Sequence, residues 1–462
     1  MEDLTVKEIA QAVHGKLLCG DPKTEISYVS IDSRDIRENT IFTPIIGAKV
    51  DAHQFIGQVF EAGAKATFTS RGEIVDESKP HILVLDTEQA LVDLAIYYRA
   101  RFQIPVIGVT GSVGKTSTKE MIAAALSTKY KVLKTAGNYN STIGLPLMIF
   151  QLDHTYEIAV LEMGISHFGE MDTLVSVAHP ETAVVTNIGV AHIGNLKSQE
   201  NIRKEKLKIA QELKTDQNLY LNGNDAILLR EAKERHSGAR LYGYGEGLDY
   251  FAKDIHVKDG KQCFTFVWPQ GQIEVEILQI GLHNVENAVV AMAIALQYGI
   301  DPLISREGIA AYEGLPMRQQ ILHLRDGIKL IDDTYNASPD SIKSEIGVLK
   351  LLDNPGKKIA VLADVLELGE LSQQCHYELG CSVATSGIDG VVAIGPEMKA
   401  LVEAVQEKNP AMLIRHFDQN QDAADYLAGE IQPGDALLVK GSRGMHLEEV
   451  VQALQEDFAQ KK

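Results

Sequence analysis

Apolar residues recur along the chain in two rhythms: short continuous runs that suit buried strands, and stripes at three-to-four spacing that suit amphipathic helices. From the start, the pattern predicts a helix at 6–13, strands at 25–31 and 40–46, a helix at 54–62, strands at 64–69 and 81–85, and a helix at 88–101. A strand closing at Val109 then leads through a loop of small residues into a helix, followed by strands at 131–134, 158–161 and 183–186 and helices through Ile149 and over 201–213. Residues 219–280 alternate apolar and polar around Asp259-Gly260 and Pro269-Gln270-Gly271, which predicts antiparallel hairpins. An alanine-rich helix follows Gly281, with Asn284 the expected N-cap. After Gly314-Leu315-Pro316, strand and helix alternate five times, with strands near 328–331, 359–362, 391–394, 413–416 and 437–439 and a last helix from Leu447.

This rhythm gives an α/β protein with expected domains at 1–100, 101–314 and 315–462: a small α/β unit, a mononucleotide-binding unit with an antiparallel appendage, and a doubly wound Rossmann-like unit. The last one lacks GxGxxG after its first strand and carries Asp332-Asp333-Thr334-Tyr335-Asn336-Ala337-Ser338-Pro339 there, with Ser338 as N-cap and Pro339 at the first helical position. A dinucleotide cofactor is therefore not expected. At 462 residues the chain exceeds what one core usually serves, and its 45% hydrophobic and 23% charged content is that of an ordinary globular protein. A net charge of −19 argues against a broad nucleic-acid or anionic-membrane surface, so any anionic ligand must be held by local groups. Cys19, Cys263, Cys375 and Cys381 are scattered without CxxC or zinc spacing, the N-terminus lacks a signal-peptide pattern, and no apolar run is long enough to span a bilayer. A reduced, cytoplasmic protein, expected to be a monomer, fits these features.

The chemistry gathers at the ends of the middle strands. Thr110-Gly111-Ser112-Val113-Gly114-Lys115-Thr116-Ser117 matches GxxxxGK[ST] except at its first position, where Val109 stands. Such a loop aims backbone N–H groups and a helix N-terminus at a polyphosphate; Lys115 reaches the phosphates and the Thr116 hydroxyl suits Mg²⁺. Glu162, at the end of the 158–161 run, is a metal ligand or a solvent-facing strand end. His192, on a glycine-containing loop after 183–186, is a second metal ligand or an ordinary loop residue. Lys206 interrupts the apolar stripe Ile202, Ile209, Ala210, Leu213: it snorkels outward, or it stays inside, loses its charge and reacts with CO₂ to give a carbamate. Asn287 reads an adenine edge or bonds backbone, and Arg318 is a γ-phosphate ligand delivered by domain closure or a hinge arginine paired with a surface acid. Asp32-Ser33-Arg34, taken alone, reads as a capped turn with a solvated arginine.

Taken together, TGSVGKTST, LEMG at 161–164, NIGVAHIG at 187–194, the Lys206 helix, HNVENA at 283–288, DDTYNASPDS at 332–341 and KGSRGMHLEEVV at 440–451 resemble the Mur ligases over essentially the whole chain. These are ATP-dependent amino-acid or peptide ligases of peptidoglycan precursor synthesis, and YNASPDS is similar to the members that add D-alanyl-D-alanine to UDP-N-acetylmuramoyl-tripeptide. The resemblance implies ATP, Mg²⁺ (two ions) and a carbamylated Lys206 as cofactors. It gives Thr116 and Glu162 to the first ion, and His192 with Lys206 to the second. It assigns Asn287 to adenine, Asp333 to ribose, Arg318 to the γ-phosphate, Ser33 and Arg34 to a uridine-nucleotide pocket, Asn138 to the sugar-peptide and Asn336 to the dipeptide. It implies that the tripeptide carboxylate attacks the γ-phosphate and that the resulting acyl phosphate is taken by the dipeptide amine. Asp353-Asn354-Pro355-Gly356 superficially matches the DNPR signature of diaminopimelate-adding relatives but lies too early and ends in glycine. Lys208 stands where an acid often follows the modified lysine, as a cation able to stabilise a carbamate or compete for it. The alternatives are another Mur ligase, a folylpolyglutamate synthase, or a phosphate-loop nucleotide switch with a protein partner.

Overall fold

The computed structural model describes residues 1–47 and 49–459. The chain divides into two compact units, one of residues 1–110, 130–183 and 208–214 and the other of residues 111–129, 184–207 and 215–462.

In the first unit, the helix Val6–Ala12 starts at a capping box: the Thr5 side chain accepts from the Glu8 N–H, and the Glu8 side chain takes the Thr5 N–H in return. A five-stranded sheet orders Lys16–Cys19, His81–Leu83, Ala66–Thr69, Thr40–Phe42 and Tyr28–Ser30, parallel except at its Lys16–Cys19 edge. The helix Thr87–Arg99 ends on a buried arginine whose guanidinium is satisfied by the carbonyls of Ala178, Phe102 and Ile104 at 3.2, 2.6 and 2.9 Å. A buried cation needs such a set of acceptors, and here they fix the approach to the next strand. That strand, Val106–Thr110, pairs in parallel with Ile158–Glu162, which pairs in parallel with Val132–Lys134. All five residues of Val106–Thr110 and of Ile158–Glu162 are buried, the mark of a sheet covered on both faces.

In the second unit, the helix Lys115–Leu126 packs against the helices Leu282–Gln297 and Pro302–Ala310. The alanine-rich stretch 288–295 and Gly308, where an added Cβ would lie 2.6 Å from the Ala124 carbonyl, let these helices approach closely. The hairpin expectation holds for Tyr250–Lys258, Lys261–Trp268 and Gly271–Ile277, with the turns where Asp259-Gly260 and Pro269-Gln270 place them. It fails before that, because Leu219–Asn222, Arg240–Tyr244 and Tyr250–Lys258 are parallel neighbours and a helix, Ala226–Glu234, connects the first two. The Asp225 carboxylate caps that helix by accepting the Ile227 and Leu228 N–H groups. Asn284 is not an N-cap: the helix begins at Leu282 behind Gly281, and Asn284 lies buried inside it, donating to the Ile280 carbonyl. The predicted helix over 201–213 is Gln199–Leu207 followed by a 3₁₀ turn at Lys208–Ala210.

The C-terminal sheet has six strands in the order Gln320–His323, Lys329–Asp332, Ala436–Lys440, Lys358–Ala363, Gly390–Ile394, Leu413–Phe417. The five anticipated strands are its parallel members, and Gln320–His323 adds an antiparallel edge. Ser338 and Pro339 start the helix Pro339–Leu351 as expected, with Ser341 completing a capping box.

Candidate active site at the glycine loop

The 111–114 loop is built from glycine outward. Gly111 has φ +151°, and a Cβ there would lie 1.8 Å from the Thr186 hydroxyl, so no side chain fits. The neighbouring 186–189 segment clasps the loop. The Ser112 N–H donates to the Asn187 carbonyl (3.1 Å), the Val113 N–H to Asn187 Oδ1 (2.9 Å), and Thr186 Oγ1 and Asn187 Nδ2 both donate to the Val113 carbonyl (2.6 and 3.0 Å). Gly189 N–H closes the set onto Ser112 Oγ at 2.9 Å. Gly114, at φ +85°, is the N-cap of Lys115–Leu126, and no side chain caps that helix. A loop held this firmly in front of an uncapped helix N-terminus is suited to an anion.

Two lysines converge on one carbonyl: Lys115 Nζ donates to Gly111 O at 2.9 Å and Lys206 Nζ donates to the same oxygen at 3.0 Å. Lys206 is 1% exposed, so the inward reading of the stripe is the observed one. Burial pushes its ammonium well below the ordinary lysine value, and the like charge of Lys115 adds to the effect. His192 joins this group. Burial lowers its imidazole, the Glu367 carboxylate acts in the opposite direction, and the charges of Lys115 and Lys206 reinforce burial. Lys208 does not serve the site as a loose cation, because its ammonium is engaged by Asp172 at 2.6 Å.

Glu162 is placed by strand pairing, opposite Val109 in the parallel register, with the Met163 N–H donating to the Val109 carbonyl and Thr110 Oγ1 to the Met163 carbonyl. It is 2% exposed, not solvent-facing. Asn140 Nδ2 donates to Glu162 Oε1 at 2.7 Å, while Oε2 is buried without a partner. An orphaned carboxylate oxygen is costly unless a cation completes it, so this residue fits a divalent ion. Among the described residues, no group of three or more His, Cys, Asp or Glu forms a metal-ligand set by itself.

The other anticipated residues have definite partners. Asn287 Oδ1 accepts from Thr118 of the loop helix at 2.6 Å, which brings Asn287 within 3.8 Å of the Cβ position at Gly114. Asp333 is paired with the buried Lys440, whose ammonium also reaches the Asn336 carbonyl at 3.0 Å. Arg318 has no acidic partner among the described residues; its guanidinium lies 4.0 Å over the Tyr335 ring. Asn336 Oδ1 accepts from the Ala337 N–H at 2.9 Å. Ser33 lies in the turn that Asp32 closes, and Arg34 forks onto Asp32 at 2.9 and 2.7 Å while staying 85% exposed, the capped-turn geometry. Asn138 is exposed, whereas Asn140, two residues on, carries the contact to Glu162. Asn140, Asn187 and Lys440 carry contacts that sequence reasoning left unassigned. For Lys440 the available signal was a polar side chain at the end of an apolar run and beside Gly441; Asn140 and Asn187 act on partners distant in sequence and had none.

Three family models match the chain: the Mur ligase family, catalytic domain, over residues 25–99; the Mur ligase middle domain over 109–295; and the Mur ligase, glutamate ligase domain, over 317–443. The UDP-N-acetylmuramoyl-tripeptide--D-alanyl-D-alanine ligase of Bacillus subtilis (strain 168) is 38% identical over 455 residues, 97% of this chain and 98% of that one. Among solved structures, MurF from Acinetobacter baumannii aligns at TM-score 0.91 and 32% identity over 99% of both chains. MurF ligase from Thermotoga maritima in complex with ADP aligns at 0.83 and 30% over 93% of this chain and 97% of that one.

Proposed function

The chain belongs to the Mur ligase family, and from that premise we propose that it is the ATP-dependent ligase joining D-alanyl-D-alanine to UDP-N-acetylmuramoyl-tripeptide in peptidoglycan precursor synthesis. The observation that carries this reading is the meeting of Lys115 and Lys206 on the Gly111 carbonyl, in a loop clasped by Asn187. Such a site sets the Lys115 ammonium and the loop N–H groups where a triphosphate would lie, on a chain whose overall charge of −19 would repel one, and keeps Lys206 buried beside them with its charge disfavoured. Three domains at 1–100, 101–314 and 315–462 supply the sugar-nucleotide, ATP and dipeptide sides, in a monomer working in the cytoplasm. Among the described residues, no helix is long and apolar enough to cross a membrane.

In this mechanism the loop N–H groups, Lys115 and Arg318 hold the phosphates, Asn287 and Asp333 the adenosine, Ser33, Arg34 and Asn138 the sugar-nucleotide, and Asn336 the dipeptide. The tripeptide carboxylate attacks the γ-phosphorus, ADP leaves, and the dipeptide amine attacks the acyl phosphate carbon; the tetrahedral intermediate then expels phosphate. Lys115 lowers the repulsion between carboxylate and triphosphate, a Coulomb barrier that water screens poorly inside a closed site. Lys206, with its lowered ammonium pKa, is neutral often enough to add its amine to CO₂; a C–N bond forms, a proton leaves, and a cation becomes a carboxylate. Magnesium ions held by Thr116 and Glu162, and by His192 with that carbamate, would supply phosphate charge neutralisation when bound.

The test is phosphate release from ATP and Mg²⁺ with UDP-N-acetylmuramoyl-tripeptide and one acceptor at a time. Release that depends on D-alanyl-D-alanine is expected. Release with a glutamate acceptor alone would overturn the assignment in favour of a folylpolyglutamate-type ligase, and release with no acceptor would favour a nucleotide switch.

A further inference from the structure

Glu367 has no part in the mechanism above, yet its carboxylate lies 2.7 Å from Nδ1 of His192 with its own side chain 63% exposed. With one partner this open to water, such a pair usually contributes less than about 1 kcal/mol, which is too little to explain the backbone around it. Glu367 and His192 both have positive φ, +65° and +60°, a conformation disfavoured for residues other than glycine, so surrounding contacts must hold each of them there. The turn presenting Glu367 is pinned from behind. The Val365 N–H donates to His376 Nε2 at 3.0 Å, the Leu366 N–H to Ser442 Oγ at 2.9 Å, and Asp364 Oδ1 accepts the Met398 N–H at 2.9 Å. In front, Gly194 comes so near that an added Cβ would lie 2.9 Å from the Glu367 carbonyl. Two left-handed residues on two tightly packed backbones thus meet through one imidazole–carboxylate contact.

A carboxylate can only accept, so Nδ1 must carry the proton and the lone pair of a neutral ring sits on Nε2. Imidazoles that ligate metals are commonly oriented by such a carboxylate on the other nitrogen. We propose that Glu367 is a positioning residue: by accepting the Nδ1–H of His192 it fixes the ring and the tautomer that offers Nε2 to a divalent cation. This rests on the reading of His192 as a cation ligand. It makes the 364–371 turn part of the metal site, although no residue of the turn need touch the ion.

The test uses the full-length protein with ¹⁵N-labelled histidine, the His192 signal identified by its loss in His192→Gln, and Mn²⁺ with ADP as the probe. In the wild type, metal-free His192 should show a protonated Nδ1 and an unprotonated Nε2, and Mn²⁺ should broaden its signal. Glu367→Ala should mix the tautomers and raise the Mn²⁺ concentration for half-broadening by about 10-fold or more. Glu367→Gln, whose side-chain carbonyl still accepts, should restore the tautomer and most of the Mn²⁺ response. Thermal unfolding midpoints check that each variant is folded. An unchanged tautomer and unchanged midpoint concentration in Glu367→Ala would overturn the inference while leaving His192 as a ligand. A wild-type His192 signal that Mn²⁺ leaves sharp would overturn both.

Discussion

At the scale of single residues, the molecule concentrates its costly groups around the loop. Lys206 is the sharpest case, an almost fully buried amine whose charge is disfavoured by its surroundings and by Lys115. Lys206→Ala should lower phosphate release by roughly 100-fold or more, with partial recovery on adding short carboxylates. Undiminished release would remove the carbamate from the mechanism. Glu286, on the helix Leu282–Gln297, is a second group with a disfavoured charge. Burial, with Asp225 adding to it, pushes its carboxyl up to about 7 from an ordinary 4.5, against the pull of Asn222 and His283. Because the folded state then holds the proton more tightly than the unfolded chain, this group's contribution to stability is full below pH 4.5 and is lost as pH rises through the window up to about 7. Glu286→Gln should flatten that fall and stabilise the protein by a few kcal/mol above the window, as read from urea midpoints on either side of it. An equal slope in variant and wild type would show the carboxyl to be ordinary.

Among the elements, turn and cap chemistry decides most outcomes. Gly111→Ala forces a methyl onto the Thr186 hydroxyl, so the loop must move at a cost of about 1–3 kcal/mol. ADP affinity, measured by calorimetry, should fall by roughly 10- to 100-fold; unchanged affinity would show that the loop does not cradle phosphate. Ser338→Ala removes the cap and half of the Ser338–Ser341 box, and should cost about 1 kcal/mol in urea unfolding. The elements most legible in the sequence were those with an uninterrupted apolar run or a cap, such as Gly390–Ile394 or Pro339–Leu351. The parallel pairing of Leu219–Asn222 with Arg240–Tyr244 was not legible, because alternation reports which face is buried and says nothing of which strand lies alongside. Asn284 misled for a related reason. Its side chain is a good cap in isolation, but Gly281 had already started the helix and tertiary contacts drew Asn284 inside. At the site, the loop, Glu162 and Lys206 were readable from residue type at strand ends and on a stripe. Asn140, Asn187 and Glu367 were not, because each acts on a partner distant in sequence.

For the whole molecule, binding and folding are linked through the unit that carries the loop. ADP at about a hundred times its Kd should stabilise that unit by about 2.7 kcal/mol, seen as an upward shift of its thermal transition. A transition insensitive to ADP would mean that the folded loop does not bind it. The partition of the chain has a further consequence. Neither unit is one continuous stretch: the first needs residues up to 214 and the second begins at residue 111 yet ends near the C-terminus. During synthesis on the ribosome, the first unit cannot be completed until its last segment, 208–214, has emerged, by which time parts of the second are already outside and waiting. While residues 111–214 emerge, segments of both units are therefore outside together before either is complete, the interval in which chaperones would have the most to shield.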